Sequence, residues 1–460
     1  MDVMNICKTQ LLVMAGVTLS GISAVAQNTL PNIILVIADD CRMGDLGCYG
    51  SPDAVTPNID RIASEGLKFN RFFQATAMSS PTRHCLLTGL YPVKSGAYPN
   101  HTFIDEGVKT LPYLKKAGYR VAMQGKRHIA PLEAFPFEYL SGDYKNLNIP
   151  DLELFIADVA VKKQAFFLYL ASNDPHSPWT RGNRSLFDAE KLTLPPTLVD
   201  TKETRKNYAN YLAEINQLDT DVGKIDALIK KYNLDENTVF IFTSEQGHQF
   251  PFAKWTCYDA GLQTGFIVRW KGVTMPGSET DAMCEYVDVT PTLLDIAGAS
   301  VPKGLDGKSF LPVIKGKKTN KEYVFGIQTT RGIANGADYY GIRSVRNDKF
   351  SYILNLTPEV PFQNIITRKQ DPVWFSWINE AENDIFAKQQ IHKYQYRPKE
   401  ELYDIINDPY QMHNLIDDVK YASEVKKLRR QLQRWMDSQG DKGQETEMRA
   451  LEHKWNPKKH

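Results

Sequence analysis

The chain has 460 residues, of which 42% are hydrophobic and 24% charged, so disordered and fibrous classes are excluded and two or three domains are allowed. Lysine and arginine number 55 against 54 acidic residues, which leaves no basic excess for a general nucleic-acid-binding surface. The mean hydropathy is −0.39 and no apolar run of about 20 residues follows the N-terminal region, so a polytopic membrane protein is also excluded.

The N-terminal region predicts a secretory signal peptide. Residues 11–25 are apolar or small, follow Lys8 and lead into the sequence Ala24-Val25-Ala26. That pattern is typical of a short apolar core with an Ala-x-Ala cleavage site, whereas Gly16 disfavours the alternative of a buried helix. We therefore predict a signal peptide over 1–26 and a periplasmic or secreted protein with no stable membrane insertion.

The cysteines beyond the predicted cleavage site do not indicate a disulfide scaffold. Their number is odd, so two disulfides are the maximum, and they show no zinc-binding spacing. We expect most of them to be small buried side chains. They are Cys41, Cys48, Cys85, Cys257 and Cys284.

Apolar runs alternate with helical patterns along the first two thirds of the chain. Residues 32–38 form a continuous β-branched run of the kind found in parallel sheets that are covered on both faces. A helix is expected between Thr56-Pro57 and Gly66, with Thr56 as its cap. Further strands are predicted over 119–124, 165–171 and 239–243, and helices over 207–232 and 291–297. The predicted fold class is α/β, with a large doubly wound mixed sheet sandwiched by helices.

A smaller C-terminal unit is predicted after residue 321. The basic stretch 315–321 is interpreted as an exposed connection, not a nucleic-acid-binding patch. Beyond it, 339–353 alternates as strands do, 341–350 resembles a hairpin, and 421–436 is an amphipathic helix. We predict an α/β domain over 27–321 and a C-terminal α+β subdomain over 322–460.

Polar side chains follow four of the predicted strands. In open α/β sheets, ligands bind beyond the carboxyl ends of the strands, so these residues are expected to meet in one cleft. The four strand ends carry Asp39-Asp40, Gly125-Lys126-Arg127-His128, Asp174-Pro175-His176 and Glu245-Gln246-Gly247-His248.

Two of these strand ends indicate a metal site. Asp39, Asp40, Glu245 and Gln246 form a set of oxygen donors, and three converging carboxylates repel one another unless a cation neutralises them. Oxygen ligands favour Ca²⁺ or Mg²⁺ over zinc. Asp39-Asp40 alone has the alternative explanation of loop capping and solvation.

Ser79 lies at the predicted start of a short helix. Pro81 and the preceding serines are typical of a helix N-terminus, and Leu86, Leu87 and Gly89 of its buried end. The positive end of a helix favours a bound anion. Taken alone, Ser79 is interpreted as an N-cap serine.

The stretch Ser79-Ser80-Pro81-Thr82-Arg83 resembles the signature of the type I sulfatases, Cys/Ser-x-Pro-x-Arg, within the alkaline-phosphatase-like superfamily. The polar blocks at the four strand ends occur in the same order as in that family, and Lys254 follows them at the spacing found in the family. The resemblance covers 32–298, and 401–415 is similar to the family's C-terminal Leu-Tyr-Asp…Asp-Pro…Asn-Leu segment. An ordered set of this kind is very specific.

The resemblance implies that Ser79 is oxidised to formylglycine by an anaerobic sulfatase-maturating enzyme, which points to a bacterial source. It implies Ca²⁺ more than Mg²⁺, and its metal ligands fall on Asp39, Asp40, Ser79, Glu245 and Gln246. The family usually has Asp-His-Gly or Asp-Asn-Gly where this chain has Glu245-Gln246-Gly247. Glutamate keeps the carboxylate, so metal binding is expected to survive with a shifted backbone.

The resemblance also assigns catalytic roles. Arg83 and Lys126 would lower the pKa of the attacking hydroxyl. His176 and Lys254 would bind the sulfuryl oxygens, with His176 as the general acid for the leaving group. His128 would accept the proton whose removal expels sulfate.

The substrate is expected to be a sulfated saccharide. Residues 125–137 resemble the corresponding segment of the heparan N-sulfatases, so N- or O-sulfated glucosamine of heparin or heparan sulfate is the first expectation. An O-sulfatase acting on another host or algal polysaccharide is the alternative. Two other classes stay open: a phosphohydrolase that uses Ser79 directly, and a non-catalytic glycan-binding protein in which Ser79 is unmodified.

Four further features carry weaker expectations. His84 is expected to be structural, and His248 to be a hydrogen-bonded cleft or surface residue. His101 is a candidate for the substrate pocket. The aromatic stretch 250–255 is either a platform for a sugar ring or packing beneath the loop of Lys254.

Overall fold

The computed structural model describes residues 30–105, 108, 111–141, 145–368 and 370–453. The predicted signal peptide lies outside the described residues. The strands are β1 Asn32–Asp39, β2 Leu67–Phe73, β3 Arg120–Gly125, β4 Glu138–Tyr139, β5 Phe166–Ala171, β6 Thr238–Glu245, β7 Gln263–Trp270, β8 Ser278–Thr280, β9 Cys284–Glu285, β10 Val324–Thr329, β11 Gly341–Arg346, β12 Phe350–Asn355 and β13 Glu400–Asp404.

The α-helices lie between the strands and at the C-terminal end. They are α1 Pro57–Ser64, α2 Ser79–Thr88, α3 Pro92–Ser95, α4 Pro112–Lys116, α5 Ile149–Lys162, α6 Lys202–Lys231, α7 Asp259–Leu262, α8 Val289–Ile296, α9 Leu311–Ile314, α10 Pro372–Glu380, α11 Ile385–Gln395, α12 Ala422–Gln439 and α13 Gln444–Met448.

The large sheet has the order β4-β3-β5-β1-β6-β7-β2-β8, and β9 pairs with β2. Strands β3, β5, β1 and β6 are parallel neighbours, while β7 runs antiparallel to both β6 and β2. The mixed sheet confirms the predicted fold class. Because the four strands that carry the polar blocks are adjacent and parallel, their carboxyl ends lie along one edge.

Helices cover both faces of this sheet, as the fully apolar β1 predicts. Ile34 and Val36 face one core, which also contains residues of α5 and α6. Ile33, Leu35 and Ile37 alternate onto the other core, to which α8 contributes. The alternation of β1 side chains between two apolar layers leaves the end of the strand as the place where polar groups collect.

A four-stranded antiparallel sheet of order β10-β11-β12-β13 forms the C-terminal part, and α12 packs against it. The hairpin predicted around 341–350 is present as β11 and β12. The connection before this sheet differs from the expectation at Lys321, whose side chain is 14% exposed and pairs with Glu285 and Asp288 at 2.6 and 2.9 Å. Two buried carboxylates require a cation there.

Two helix starts also differ from the expectations. The side chain of Thr56 makes no cap hydrogen bond and accepts instead from the Gly47 backbone N–H at 2.9 Å. Helix α2 begins at Ser79, with Met78 at the cap position, so Ser79 belongs to the first turn. The five cysteines of the described chain are unpaired, and four of them are buried. No helix in the described ranges has both the length and the apolar character needed to span a membrane.

Candidate active site

The register of the central strands brings the first carboxylates together. Asp39 ends β1 directly beside Glu245, which ends β6. Ser79, on the first turn of α2, donates from Oγ to Asp39 Oδ1 at 3.0 Å. The same Oγ accepts from Gln246 Nε2 at 2.8 Å. The predicted nucleophile position and the predicted metal ligands therefore share one hydrogen-bonded cluster.

Asp40 extends this cluster toward the predicted acid. Its Oδ1 accepts from Gln246 Nε2 at 2.7 Å and its Oδ2 from Lys254 Nζ at 2.6 Å. His176 Nε2 lies 3.7 Å from Asp40 Oδ2. The other ring nitrogen of His176 lies 2.6 Å from the carbonyl oxygen of Ser177, an acceptor, so Nδ1 carries a proton and Nε2 is the atom that faces the cluster.

Arg83 connects the two strand ends from below. Its guanidinium has no solvent exposure, and Nε and Nη2 donate to Glu245 Oε1 at 3.1 and 2.8 Å. Nη1 donates to the backbone carbonyl of Lys126 at 2.7 Å. The Lys126 ammonium pairs with Asp39 Oδ2, from which Arg83 Nη2 is 3.9 Å away. Three fixed cationic groups, counting Lys254, thus surround the carboxylates.

These charges shift the pKa values of the cluster in opposite directions. Burial acts to raise the pKa of Asp39, but Lys126, His176 and Arg83 outweigh it and hold that pKa well below its ordinary value. Burial raises the pKa of Glu245, and the neighbouring carboxylate of Asp39 raises it further. Arg83 acts in the opposite direction but does not cancel these two effects. Asp39 is therefore the carboxylate that stays ionised.

Both catalytic histidine candidates are held neutral. Burial, followed by the charge of Lys126 and the neighbouring His101, lowers the pKa of His128 well below its ordinary value. Burial and Lys254 lower the pKa of His176. A neutral His128 is ready to accept a proton at neutral pH.

The donor chemistry fits an oxygen-binding cation. Glu245 Oε2 and Gln246 Oε1 are buried and have no hydrogen-bond partner within the described part of the chain. An unpaired buried oxygen is costly, and a hard cation would satisfy both. As it stands, no group of three or more His, Cys, Asp or Glu side chains in the described ranges is arranged to hold a metal, and Lys126 and Lys254 pair with the aspartates instead.

The backbone is strained where the site residues sit. Asp40, His128, Gln246 and Trp255 have φ values of 62°, 44°, 35° and 66°. Non-glycine residues rarely adopt this left-handed region, and such outliers concentrate at functional sites. Asp40, His128 and Gln246 lie within the polar blocks that follow strands, and Trp255 directly follows Lys254.

A pocket of about 710 Å³ opens above the cluster. Ser79, Lys126, His128, His176 and Lys254 line it, so five of the six predicted catalytic residues meet there, while Arg83 lies buried beneath. The remaining lining residues come from several loops and from α6. They are Asn100, His101, Lys145, Asn146, Asn173, Asp174, Ser177, Pro178, Thr180, Arg181, Glu214, Gln249, Trp255, Gly332, Ile333, Ala334 and Ile365.

Several of these residues were missed by sequence reasoning. Arg181 lies in a loop with no motif, and residues 332–334 follow a strand of the second sheet. Glu214 did carry a signal, because it is a carboxylate on the buried face of α6 beside Leu212 and Ile215. His101, weakly expected, does line the pocket, and its Nδ1 lies 2.8 Å from His128 Nε2.

The expectation for His248 is wrong. Its ring is buried against Tyr208, Tyr211 and Phe250, and neither ring nitrogen has a hydrogen-bond partner in the described chain. Burial lowers its pKa to about 4. The imidazole is thus a neutral packing group.

The other two weaker expectations are resolved by packing. His84 is buried, with Nε2 at 3.0 Å from the Ala130 backbone N–H, as a structural residue would be. Phe250 stacks on Trp179 and is 1% exposed. Of the aromatic stretch, Trp255 lines the pocket, so most of that stretch is packing.

Comparison with known proteins gives consistent family matches. Residues 31–299 match the family model described as Sulfatase, and 247–392 match the model described as N-sulphoglucosamine sulphohydrolase, C-terminal. An ulvan-active sulfatase of Formosa agariphila is 33% identical over 89% of this chain and 81% of its own length. The human N-sulphoglucosamine sulphohydrolase is 26% identical over 88% of this chain and 89% of its own.

A solved structure shares the fold. The structure of BT4656 in complex with its substrate D-glucosamine-2-N,6-O-disulfate superposes with a TM-score of 0.68 at 21% identity. The match covers 90% of this chain and 99% of that one. The α/β sandwich with its C-terminal sheet is therefore an architecture seen in an enzyme–substrate complex.

Proposed function

Because this chain belongs to the sulfatase family, we propose that it removes sulfate groups from a sulfated glycan through a formylglycine formed at Ser79. The observation that carries the proposal is the position of Ser79: its Oγ lies between Asp39 and Gln246 at the bottom of a pocket that Lys126 and Lys254 also line. Convergent cations suit a tetrahedral oxyanion.

The chain's own residues account for binding and proton transfer. When present, the formylglycine hydrate supplies a hydroxyl nucleophile that a serine lacks at neutral pH. Lys126 and the buried Arg83 lower the pKa of the attacking hydroxyl, and Lys254 binds the sulfuryl oxygens together with His176. His128, neutral because burial and Lys126 depress its pKa, is the base that accepts a proton at the end of the cycle.

His176 is the proposed acid for the leaving oxygen. Its Nδ1 hydrogen bond to the Ser177 carbonyl fixes the ring, so that Nε2 points to the cluster. A bound sulfate ester brings a negative charge close to this ring and raises its proton affinity, which offsets the depression caused by burial and Lys254.

This role gives a test based on the leaving group. We expect H176A to lower kcat/KM on a sulfated saccharide by about 10²-fold or more, the usual contribution of a general acid. The loss on 4-nitrophenyl sulfate should be at least about tenfold smaller, because a nitrophenolate leaves without a proton. The exposed His413→Ala serves as the control. Equal losses on the two substrates would contradict the assignment.

We further propose that Ca²⁺, rather than Mg²⁺, binds among Asp39, Asp40, Glu245, Gln246 and the residue formed at position 79. The two unpaired buried oxygens and the all-oxygen donor set support a hard cation, and the choice of Ca²⁺ rests on the family resemblance. When bound, the cation would supply positive charge that lowers the pKa of the attacking hydroxyl.

Thermal melting of EDTA-treated protein tests the cation. Calcium at about 100 times its Kd should stabilise the fold by about 2.7 kcal/mol and raise the Tm. D40N should lose this response, whereas the exposed control Asp188→Asn should retain it. A Tm insensitive to calcium and magnesium in the wild-type protein would disprove a cation site.

Two relatives suggest different saccharides. The match of residues 247–392 to the N-sulphoglucosamine sulphohydrolase model and the 26% identity to the human enzyme favour N-sulfated or O-sulfated glucosamine. The 33% identity to the ulvan-active sulfatase favours an O-sulfated polysaccharide. Sulfate release from N-sulfoglucosamine, glucosamine 6-O-sulfate and ulvan oligosaccharides distinguishes them. Phosphate release from 4-nitrophenyl phosphate without any sulfate release would point to the phosphohydrolase alternative.

The modification itself is tested by mass spectrometry. Protein should be made in a host that has the anaerobic maturating enzyme, and the tryptic peptide 72–83 analysed. A peptide lighter by two hydrogens, or its hydrate, is the expected result. An unmodified serine from that host would rule out the formylglycine mechanism.

Maturation and location are part of the same proposal. Ser79 is 4% exposed, so the maturating enzyme must act before the chain has folded. A periplasmic or secreted location, which the N-terminal sequence predicts, would then follow modification in the cytoplasm.

A further inference from the structure

One wall of the pocket carries an ion pair that the sulfate-binding groups do not explain. Arg181 Nη1 donates to Asp174 Oδ2 at 2.5 Å and to Asn146 Oδ1 at 2.7 Å. Arg181 keeps 35% of its side chain exposed, while Asp174 is almost fully buried, and both line the pocket. The pair thus presents a donor and an acceptor side by side toward the space that a substrate would fill.

The chain fixes this pair from two sides. Asp174 lies two residues before His176, and its backbone carbonyl accepts from the Asp39 N–H at 3.1 Å, which ties it to the cluster. Glu214 of α6 accepts from the backbone N–H groups of Thr180 and Arg181 at 2.5 and 2.9 Å. The loop that carries Arg181 is therefore fastened to a buried helix.

Gly182, the residue after Arg181, lets the loop pack closely against α6. Gly182 has a φ of 78°, and a Cβ there would lie 1.9 Å from the Ala213 carbonyl oxygen on α6. Only glycine allows the backbone to approach so closely. A loop held this firmly is suited to placing a guanidinium with precision, since binding costs less when the groups are already ordered.

The formal charges of this wall provide no cationic excess for a second anionic group. The two carboxyl groups, Asp174 and Glu214, equal in number the two cations, Arg181 and Lys145. A site for another sulfate would need a cationic excess, as the bottom of the pocket has. Paired acceptors and donors are instead the groups that bind neighbouring hydroxyls.

From this arrangement we propose that Asp174 and Arg181 recognise free hydroxyl groups of the sugar ring that carries the scissile sulfate. The inference rests on the proposed function and adds the substrate class: a ring unsubstituted beside the sulfated position. A hydroxyl donates to the Asp174 carboxylate and accepts from the Arg181 guanidinium. A second sulfate at that position meets Asp174 and Glu214 and is disfavoured.

Asp174→Asn and Arg181→Gln test the proposal on substrates with and without a sugar. Loss of a hydrogen bond to a charged group should lower kcat/KM on N-sulfoglucosamine or ulvan oligosaccharides by about 10- to 100-fold. Activity on 4-nitrophenyl sulfate, which has no ring hydroxyls, should stay within about twofold of wild type. Arg184→Gln, in the same loop but outside the pocket, is the matched control.

A disulfated saccharide adds a second readout. Wild-type enzyme should prefer the ring with a free neighbouring hydroxyl, and D174N should reduce that preference because the repelling carboxylate is gone. Equal losses on the saccharide and the aryl sulfate would assign the pair a structural role and overturn the inference. So would unchanged saccharide activity in both variants, or wild-type activity confined to the aryl sulfate. Failure of the proposed function would differ, since wild-type enzyme would then release sulfate from neither.

Discussion

Replacing Ser79 with alanine is expected to abolish sulfate release, with a fall in kcat/KM of about 10³-fold or more. Alanine offers no hydroxymethyl group to oxidise, so the nucleophile cannot form. The fold should survive, because Ser79 makes two hydrogen bonds, one donated to Asp39 and one accepted from Gln246, each worth about 1 kcal/mol. Sulfate release and thermal melting, measured on the same preparation, separate the two effects.

The neighbouring Ser80→Ala is the matched control. Ser80 is also buried on the first turn of α2 but does not line the pocket. It should keep wild-type activity. If S79A retained activity while S80A lost it, the nucleophile would have been assigned to the wrong serine.

Removal of Arg83 has the largest expected effect on stability. Arg83→Met keeps an unbranched side-chain stem, removes the guanidinium group, and leaves Glu245 and the Lys126 carbonyl without their partner. Arg83 Nη2 also lies 3.9 Å from Asp39, the carboxylate that stays ionised, and breaking a fully buried ion pair from one side costs about 3–5 kcal/mol. We expect this loss in the free energy of unfolding at pH 7.5, measured by urea denaturation in EDTA so that no cation contributes.

The loss should depend on pH in a defined direction. Without Arg83 the pKa of Glu245, already raised by burial above its ordinary 4.5, rises further. The wild-type pKa of Glu245 is about 8, so below pH 8 both folded proteins hold this proton and the loss is constant. Above about pH 8 the wild-type carboxyl ionises beside Arg83 while the variant keeps its proton, so the loss relative to wild type grows as pH rises. The surface control Arg120→Met, whose partner Glu138 is 44% exposed, should cost about 0–1 kcal/mol. A pH-independent loss would refute the role of Glu245.

The location of the catalytic groups was predictable because strand order and strand ends follow from local patterns. The fully apolar run of β1 and the similar runs of β3, β5 and β6 identify parallel neighbours, and the residues that follow them must share an edge. The spacing of the signature motif then placed Ser79 and Arg83 in the same candidate site. Helix starts were less certain, since Thr56 and Ser79 satisfy turn and site contacts instead of capping.

The residues of the pocket wall could not be predicted from the sequence, and the reason is physical. Arg181, Ile333 and Ile365 reach the pocket through loops whose paths depend on tertiary contacts, such as the approach of Gly182 to α6. The prediction for His248 failed because a histidine that follows a strand end is expected to make polar contacts, whereas here its ring packs among aromatic rings. Its environment is set by Tyr208 and Tyr211, almost forty residues away in the chain.

The pocket is built from two independent sources. Its bottom, the proposed sulfate site, comes from the ends of the large sheet, whereas residues 332–334 and 365 lie on loops that accompany the second sheet. Those loops contribute no member of the hydrogen-bonded cluster around Ser79. Substitutions in the outer loops can therefore change which saccharide enters the pocket while the residues around Ser79 stay the same. Related enzymes can in this way differ in substrate specificity and keep one catalytic mechanism.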